Sequence, residues 1–293
     1  MGIEVLPQDS LVARIAELPS CLIAFSGGVD SAVVAKAAYF ALGEKAIAVT
    51  GVSASLASGE LETAQRIART IGIRHETVAT GELSQDDYLE NQPDRCWHCK
   101  TELYEQLQLL ADRLGVDHIL NGANLDDTGD FRPGMKAAAE HSVRSPLAEC
   151  GIAKAAVRQI AQTWKLEVWD KPATPCLSSR VVYGLNITPE RLARIDAAEQ
   201  LLREMGLGNV RVRYHHDDLA RLEVALVDLP KLSEESTRST VTKRLRELGF
   251  RYVTIDLEGF RSGSFQQLVS ADELTRYLPS SPRIAPSKIA GSG

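Results

Sequence analysis

The sequence has no apolar run approaching the ~20 residues that span a bilayer, and Met1-Gly-Ile-Glu-Val carries no basic stretch leading into an apolar one. No membrane anchor or secretory leader is therefore expected, and the expected location is the cytoplasm. A positive charge balance is also missing: 33 basic residues stand against 39 acidic ones, for a net charge of -6. Bulk charge thus gives no attraction to nucleic acid or anionic membrane, although a local basic patch is compatible with it. There is no internal repeat. The cysteines number five, an odd count that argues against a disulfide framework and for thiol or metal chemistry.

What is present begins at Ser26-Gly-Gly-Val-Asp-Ser31, between the apolar run Cys21-Leu-Ile-Ala-Phe25 and the helix-like Ala32-Val-Val-Ala-Lys-Ala-Ala-Tyr. A buried strand running through two glycines into a helix N-terminus makes an anion site. Glycines let the backbone approach an oxyanion, and unpaired N–H groups point at it. The Walker Gly-Lys-Ser/Thr and the third Rossmann glycine are both absent. The stretch resembles the PP-loop of ATP pyrophosphatases, which cleave ATP between the α and β phosphates. That resemblance implies that Ser26, Gly27, Gly28, Val29, Asp30 and Ser31 hold ATP. A plain glycine turn with a serine cap is the alternative.

At 293 residues the chain can hold one large domain or two ordinary ones. Strands are expected at 21–25, 46–50, 74–79 and 118–121, with helices at 32–39, 60–71 and 99–114. This alternation implies a doubly wound parallel α/β sheet, with ligands at the carboxyl ends of its strands. Asn121-Gly-Ala-Asn-Leu-Asp-Asp127 closes the fourth strand, so Gly122 and Asp126 are candidates for the nucleotide and its Mg²⁺; an Asx turn is the alternative. A helix at 152–164 and a last strand or extended segment at 166–169 complete the first unit, 1–180. After it, Thr188-Pro-Glu190 starts a helix running to 205. Strands at 209–214, 221–227 and 250–257 and a helix at 233–248 make a smaller α+β unit over 187–279. The turn-rich tail 280–293 is expected to be mobile.

Cys96 and Cys99 stand three residues apart in Arg95-Cys-Trp-His-Cys-Lys100, and Cys176 lies in the proline-flanked Thr174-Pro-Cys-Leu-Ser-Ser-Arg180. The pair alone suits zinc, a redox couple or iron-sulfur ligation. A third thiol permits a 4Fe-4S cluster with one iron open. His98, inside the expected short loop, is badly placed to complete a zinc site. Cys176 acting alone is the competing reading, with Arg180, Ser178 and Ser179 stabilising a thiolate. Cys21 reads as a small buried hydrophobe, and Cys150 carries no assigned chemistry.

Residues 26–31, 95–100, 121–127, 175–180 and Asn209-Val-Arg-Val-Arg213, in this order, resemble the LarE family over nearly the whole chain. These are ATP-dependent pyridinium-3,5-biscarboxylic acid mononucleotide sulfurtransferases that build a nickel-pincer nucleotide cofactor. The resemblance implies the PP-loop (adenine nucleotide alpha hydrolase-like) fold. It also implies adenylation of a substrate carboxylate with release of pyrophosphate, and displacement of AMP by sulfur. Cys176 matches the family's sulfur-bearing cysteine, which in single-cysteine members gives up its own sulfur. Cys96, Cys99 and Cys176 together match members that hold a 4Fe-4S cluster carrying an extra sulfide. Trp97, Ser179, Arg180, Glu199, Arg211 and Arg213 are the implied substrate contacts, with arginines suited to its phosphate. Glu223 is a weaker carry-over that reads equally well as a surface charge. The expected partners are a small nucleotide substrate and, as in relatives, further copies of the chain in a homo-oligomer such as a hexamer; no nucleic acid or membrane is expected. The rival readings are a tRNA thiolation enzyme, for which the acidic chain is poorly suited, an amide-forming synthetase, which has no use for three thiols, and a nucleotide-sensing module without turnover.

Overall fold

The computed structural model describes residues 6–129 and 133–261. The expected tail 280–293 and the stretch 262–279 lie outside the described residues. The first sheet contains β1 (Cys21–Ala24), β2 (Ala46–Val52), β3 (Arg74–Ala79) and β4 (Ile119–Leu120). They lie in the order β3-β2-β1-β4, and every pairing is parallel. The accompanying helices are α1 (Pro7–Ala16), α2 (Val29–Leu42), α3 (Glu60–Ile71), α4 (Asp86–Leu89), α5 (Arg95–Leu114), α6 (Pro133–Glu140), α7 (Pro146–Glu149) and α8 (Lys154–Thr163).

Strand residues alternate between two cores because successive side chains point to opposite faces of a sheet. Cys21, Ile23, Ala46 and Ala48 meet Leu11, Ile15, Val33, Ile67 and Ile160 on one face. Leu22, Ile47, Val49 and Ile119 meet Tyr104, Leu107, Leu110 and Ala137 on the other. Helices thus cover both faces, as a parallel sheet of apolar strands requires. In α2, Val29, Val33, Val34, Ala35, Ala37 and Ala38 are all buried, which marks a helix enclosed by neighbours on nearly every side.

A smaller α+β unit follows. Its helix α9 (Pro189–Glu204) starts at Thr188, whose side chain accepts from Arg191 N at 3.3 Å, with Pro189 in the first turn. Next come β5 (Arg211–His215), β6 (Leu219–Glu223), α10 (Leu229–Ser233), α11 (Glu235–Glu247) and β7 (Tyr252–Ile255). The sheet is mixed: β5 pairs antiparallel with β6, and β6 pairs parallel with β7. Its core joins Leu192, Ile195, Val212 and Leu222 to Ala57, Tyr88 and Leu177 from the preceding segments. Among the described residues no helix is long and apolar enough to cross a membrane.

Four local expectations are corrected. Residues 166–169 form turns rather than a strand. Lys165 leaves α8 at φ 53, and Trp169 N donates back to Leu166 O at 3.1 Å, so Leu166 and Val168 reach the core from a turn. The strand expected over 221–227 lies at Leu219–Glu223, and Leu226–Asp228 forms a short 3-10 turn instead. The helix bearing the cysteines starts at Arg95 rather than Cys99, which places Cys96 and Cys99 one turn apart on a helix instead of in a loop. Helix α6 was not foreseen; its small residues Ala137 and Ala138 give little amphipathic contrast yet pack as core.

Candidate active site

Strand β1 ends where Phe25 N donates to Val49 O at 2.8 Å, and the chain then turns through Ser26, Gly27 and Gly28 into α2. Gly27 adopts φ 68, and a Cβ there would stand 2.8 Å from Ala64 Cα. Only glycine satisfies both the left-handed backbone and the approach of α3. The loop is braced from within. Ser26 N donates to Ser31 Oγ at 3.3 Å, Gly28 N to Ser26 Oγ at 3.3 Å, and Ser31 Oγ to Gly28 O at 3.1 Å. This bracing leaves the start of α2, where Val29 and Asp30 lie, facing the strand ends as an anion site. Gly122 lies beside it, since a Cβ there would stand 2.8 Å from Ser31 N.

The acids near the loop are already engaged. Asp30 is paired with Lys154 Nζ and accepts from Asn124 Nδ2 at 3.1 Å. Asp126 Oδ2 accepts from Lys154 N at 2.9 Å, at the first residue of α8, and Asp127 Oδ2 from Asn124 N at 3.0 Å. Lys154 thus connects Asp30 and Asp126 across the site. Hard carboxylate oxygens of this kind fit Mg²⁺ beside a polyphosphate, with Asp30 and Asp126 the groups to hold it.

Around the thiols the chain is dense with buried polar groups. Leu177 N donates to Ser55 O at 2.8 Å, tying the Cys176 loop to the turn after β2. Tyr88 Oη and Ser178 Oγ lie 2.6 Å apart, and both residues are fully buried. Asn91, at φ 57, donates to the carbonyls of Val181, Val182 and Leu185 and accepts from Arg95. Cys96 is exposed, while Cys99 and Cys176 are half-buried. Burial, reinforced by Cys176 and by the carboxylate of Glu82, pushes the Cys99 thiol up to about 12. Arg95, next to Cys96, donates to Ser178 O at 2.9 Å, so the first turn of α5 and the Cys176 loop lie against each other. Among the described residues no three His, Cys, Asp or Glu side chains form a group for a single metal ion. A cluster shares its cysteines among several irons, so it asks for thiols around a common pocket rather than around one point. Trp97 donates Nε1 to Glu140 Oε2 at 2.7 Å, which ties its ring to α6.

The arginines form the third part. Arg180 is fully buried: Nε and Nη2 bond Glu199 at 3.0 and 3.2 Å, and Nη1 reaches Cys176 O at 2.9 Å, Ser179 Oγ at 3.0 Å and Pro175 O. Glu199 also accepts from Arg203 and from Val212 N. Arg180 and Glu199 are thus engaged within the chain and hold the Cys176 loop. Arg213 pairs with Glu223 at 2.7 Å and donates to Ser179 O at 3.1 Å. Glu223 is fully buried, contrary to the surface alternative. Among the described residues Arg211 bonds only backbone carbonyls, those of Val210 and Ala173. Burial, aided by the cations of Arg180, Arg213 and Arg203, lowers its pKa to about 10. Arg211 and Arg213 fall on one face of β5 by period two, and Ser179 links that face to Cys176 through its Oγ on Cys176 O at 2.7 Å.

The model of the asparagine synthase family matches residues 6–115, the stretch that carries the PP-loop. An uncharacterized protein of Synechocystis is 47% identical over 89% of this chain and 97% of its own length. The pyridinium-3,5-bisthiocarboxylic acid mononucleotide synthase of Lactiplantibacillus plantarum is 36% identical over 92% of this chain and 96% of its own. The chain belongs to the LarE family. A third relative, an uncharacterized protein of Methanocaldococcus jannaschii, is 32% identical over 60% of the chain and 68% of its own length.

As a LarE-family protein the chain has an ATP-using PP-loop domain, and the structure adds residues that motif reading passed over. Glu82, Tyr88, Asn91 and Lys154 have no motif around them. Their importance comes from partners more than twenty residues away, and for Glu82, Tyr88 and Asn91 from burial as well. Glu82 has Oε1 accepting from Ser53 and Ser55, while Oε2 has no hydrogen-bond partner among the described residues. Nothing in the local sequence reveals what these side chains will meet.

Proposed function

We propose that this chain uses ATP to adenylate a carboxylate of pyridinium-3,5-biscarboxylic acid mononucleotide and converts it to a thiocarboxylate at Cys176. The supporting observation is the placement of the Cys176 loop. One end is bonded to the β2 turn beside the ATP loop through Leu177 N and Ser55 O. The other reaches Arg213 through Ser179 O. Activation and sulfur delivery need the same acyl carbon, and this loop spans the distance between them.

In the proposed reaction a carboxylate oxygen attacks the α-phosphorus of ATP and pyrophosphate leaves, with its charge met by the N–H groups at the start of α2. Mg²⁺, held by Asp30 and Asp126, would neutralise phosphate charge. Arg211, whose guanidinium has no carboxylate bonded to it among the described residues, and Arg213 bind the phosphate of the mononucleotide, with Ser179 beside them. Arg180 and Glu199 keep the Cys176 backbone in place. Sulfur then bonds the acyl carbon, the C–O bond to AMP breaks, and AMP leaves with the electron pair. Cys96, Cys99 and Cys176 fit a 4Fe-4S cluster, which when bound would supply sulfide as the attacking sulfur. Trp97 borders this pocket from α5. The chain would act in the cytoplasm as a homo-oligomer.

Anaerobically reconstituted protein, given ATP and the biscarboxylate nucleotide, is expected to form AMP, pyrophosphate and thiocarboxylate over several turnovers, with broad visible iron-sulfur absorption. A single turnover with loss of the Cys176 sulfur would replace the cluster by sacrificial transfer. ATP bound but never cleaved would refute the reaction itself.

A further inference from the structure

Arg95 is 4% exposed and, among the described residues, no carboxylate is bonded to its guanidinium. Its acceptors are neutral: Ser178 O at 2.9 Å and Asn91 Oδ1. The ring of Tyr183 lies 5.6 Å from Cζ. A guanidinium stays charged in a protein, and a buried charge without a counter-ion is costly. Carbonyls and a π face offset part of that cost. Cys96 follows Arg95 directly in the chain, and Ser178, two residues after Cys176, accepts from its Nη1, so this charge stands between the two cysteine segments.

Arg95 is also a mechanical link. It is the first residue of α5, next to Cys96, and its bond to Ser178 O fastens that helix to the loop two residues after Cys176. Asn91 locks the arrangement, because its amide holds three carbonyls of the 181–185 segment while its oxygen holds Arg95. Its left-handed backbone, at φ 57, is one that asparagine tolerates better than most residues.

We propose that Arg95 is a positioning residue of the sulfur site: it fastens the Cys176 loop to the first turn of α5 and fixes a positive charge beside Cys96 and Cys176, so that these sulfurs meet anionic reactants in preference to neutral ones. This deepens the sulfur-transfer reading and rests on it for its purpose. Its test uses neither ATP, substrate nor cluster, so failure of the reaction and failure of this assignment are separable.

The test is competitive alkylation of the reduced full-length chain by iodoacetate, an anion, and iodoacetamide, its neutral counterpart, read at each cysteine by peptide mass spectrometry. Both reagents consume thiolate, so their ratio cancels the thiolate fraction and reports local charge. Cys150, half-buried beside Glu149 and Arg14, is the internal reference. The iodoacetate share at Cys96 and Cys176 is expected to exceed that at Cys150 by about threefold or more, given a buried charge nearby that salt screens poorly. Arg95→Met is expected to lose most of that excess, Lys100 supplying the rest, and Arg95→Lys to restore it. Asn91→Ser, which loosens the link but keeps the charge, should speed both reagents at an unchanged ratio. A wild-type ratio no higher than that of Cys150 overturns the assignment even if Arg95→Met does not fold. So does an unchanged ratio in Arg95→Met or a changed one in Asn91→Ser.

Discussion

Arg180 Nε stands 3.0 Å from Glu199 Oε1, and both side chains are fully buried. Arg180 also holds the Cys176 carbonyl at 2.9 Å, so this buried interaction sets the path of the Cys176 loop. Removing one partner would leave a buried charge uncompensated. Glu199→Ala is expected to destabilise the protein by about 3–5 kcal/mol, read from chemical denaturation.

The two close glycines make the proposed ATP site sensitive to a single methyl group. Gly27→Ala meets both φ 68 and Ala64 Cα, and Gly122→Ala meets the Ser31 backbone. Each is expected to weaken ATP binding by at least about tenfold, or ~1.4 kcal/mol, measured by calorimetry. Unchanged affinity in both would remove this loop as the nucleotide site.

Cys176→Ser should separate activation from sulfur transfer. Substrate-dependent pyrophosphate release is expected to persist while thiocarboxylate falls below detection, followed by a pyrophosphate assay and mass spectrometry of the nucleotide.

Among the described residues Arg211 bonds backbone oxygens only, so its removal leaves none of their carboxylates without a partner. Arg211→Ala is expected to raise KM for the nucleotide substrate about tenfold or more, the loss of a charge-assisted phosphate contact, with KM for ATP changed little. Equal increases in both constants would contradict a dedicated phosphate role.

His215 carries a pH signature. Burial, with the neighbouring cation of Arg221, lowers its pKa from 6.5 to about 4. Above 6.5 the imidazole is neutral in folded and unfolded chains and contributes no pH slope. Below it the unfolded chain binds the proton first, so stability falls as pH drops from 6.5 towards about 4 and levels off beneath that. His215→Gln should flatten this part of the stability profile, measured by thermal unfolding across pH 7 to 4, a range of roughly three pH units around the His titration.

The first sheet was legible because its evidence is local. The strand at 46–50 announces itself by apolar and β-branched residues, and Ser26 to Ser31 by glycines between a strand and a helix. Residues 166–169 read as a strand because Leu166 and Val168 are apolar and buried like strand residues, yet no strand among the described residues pairs with them. Glu223 stayed ambiguous because a carboxylate on an alternating strand gives no hint of Arg213 on the adjacent one.

The sequence by itself determined the alternation of strands and helices in the first sheet, the glycine turn at Ser26–Ser31 and the three thiols, because backbone preferences and side-chain periodicity act between near neighbours along the chain. Only the tertiary structure decided that Arg180 and Glu199 face each other, that Arg95 stands by both cysteine segments, and that Arg211 has no acid bonded to it among the described residues. Those relations depend on which distant groups burial brings together. Inside the protein, where water no longer screens or solvates them, the partner each charge meets fixes its role.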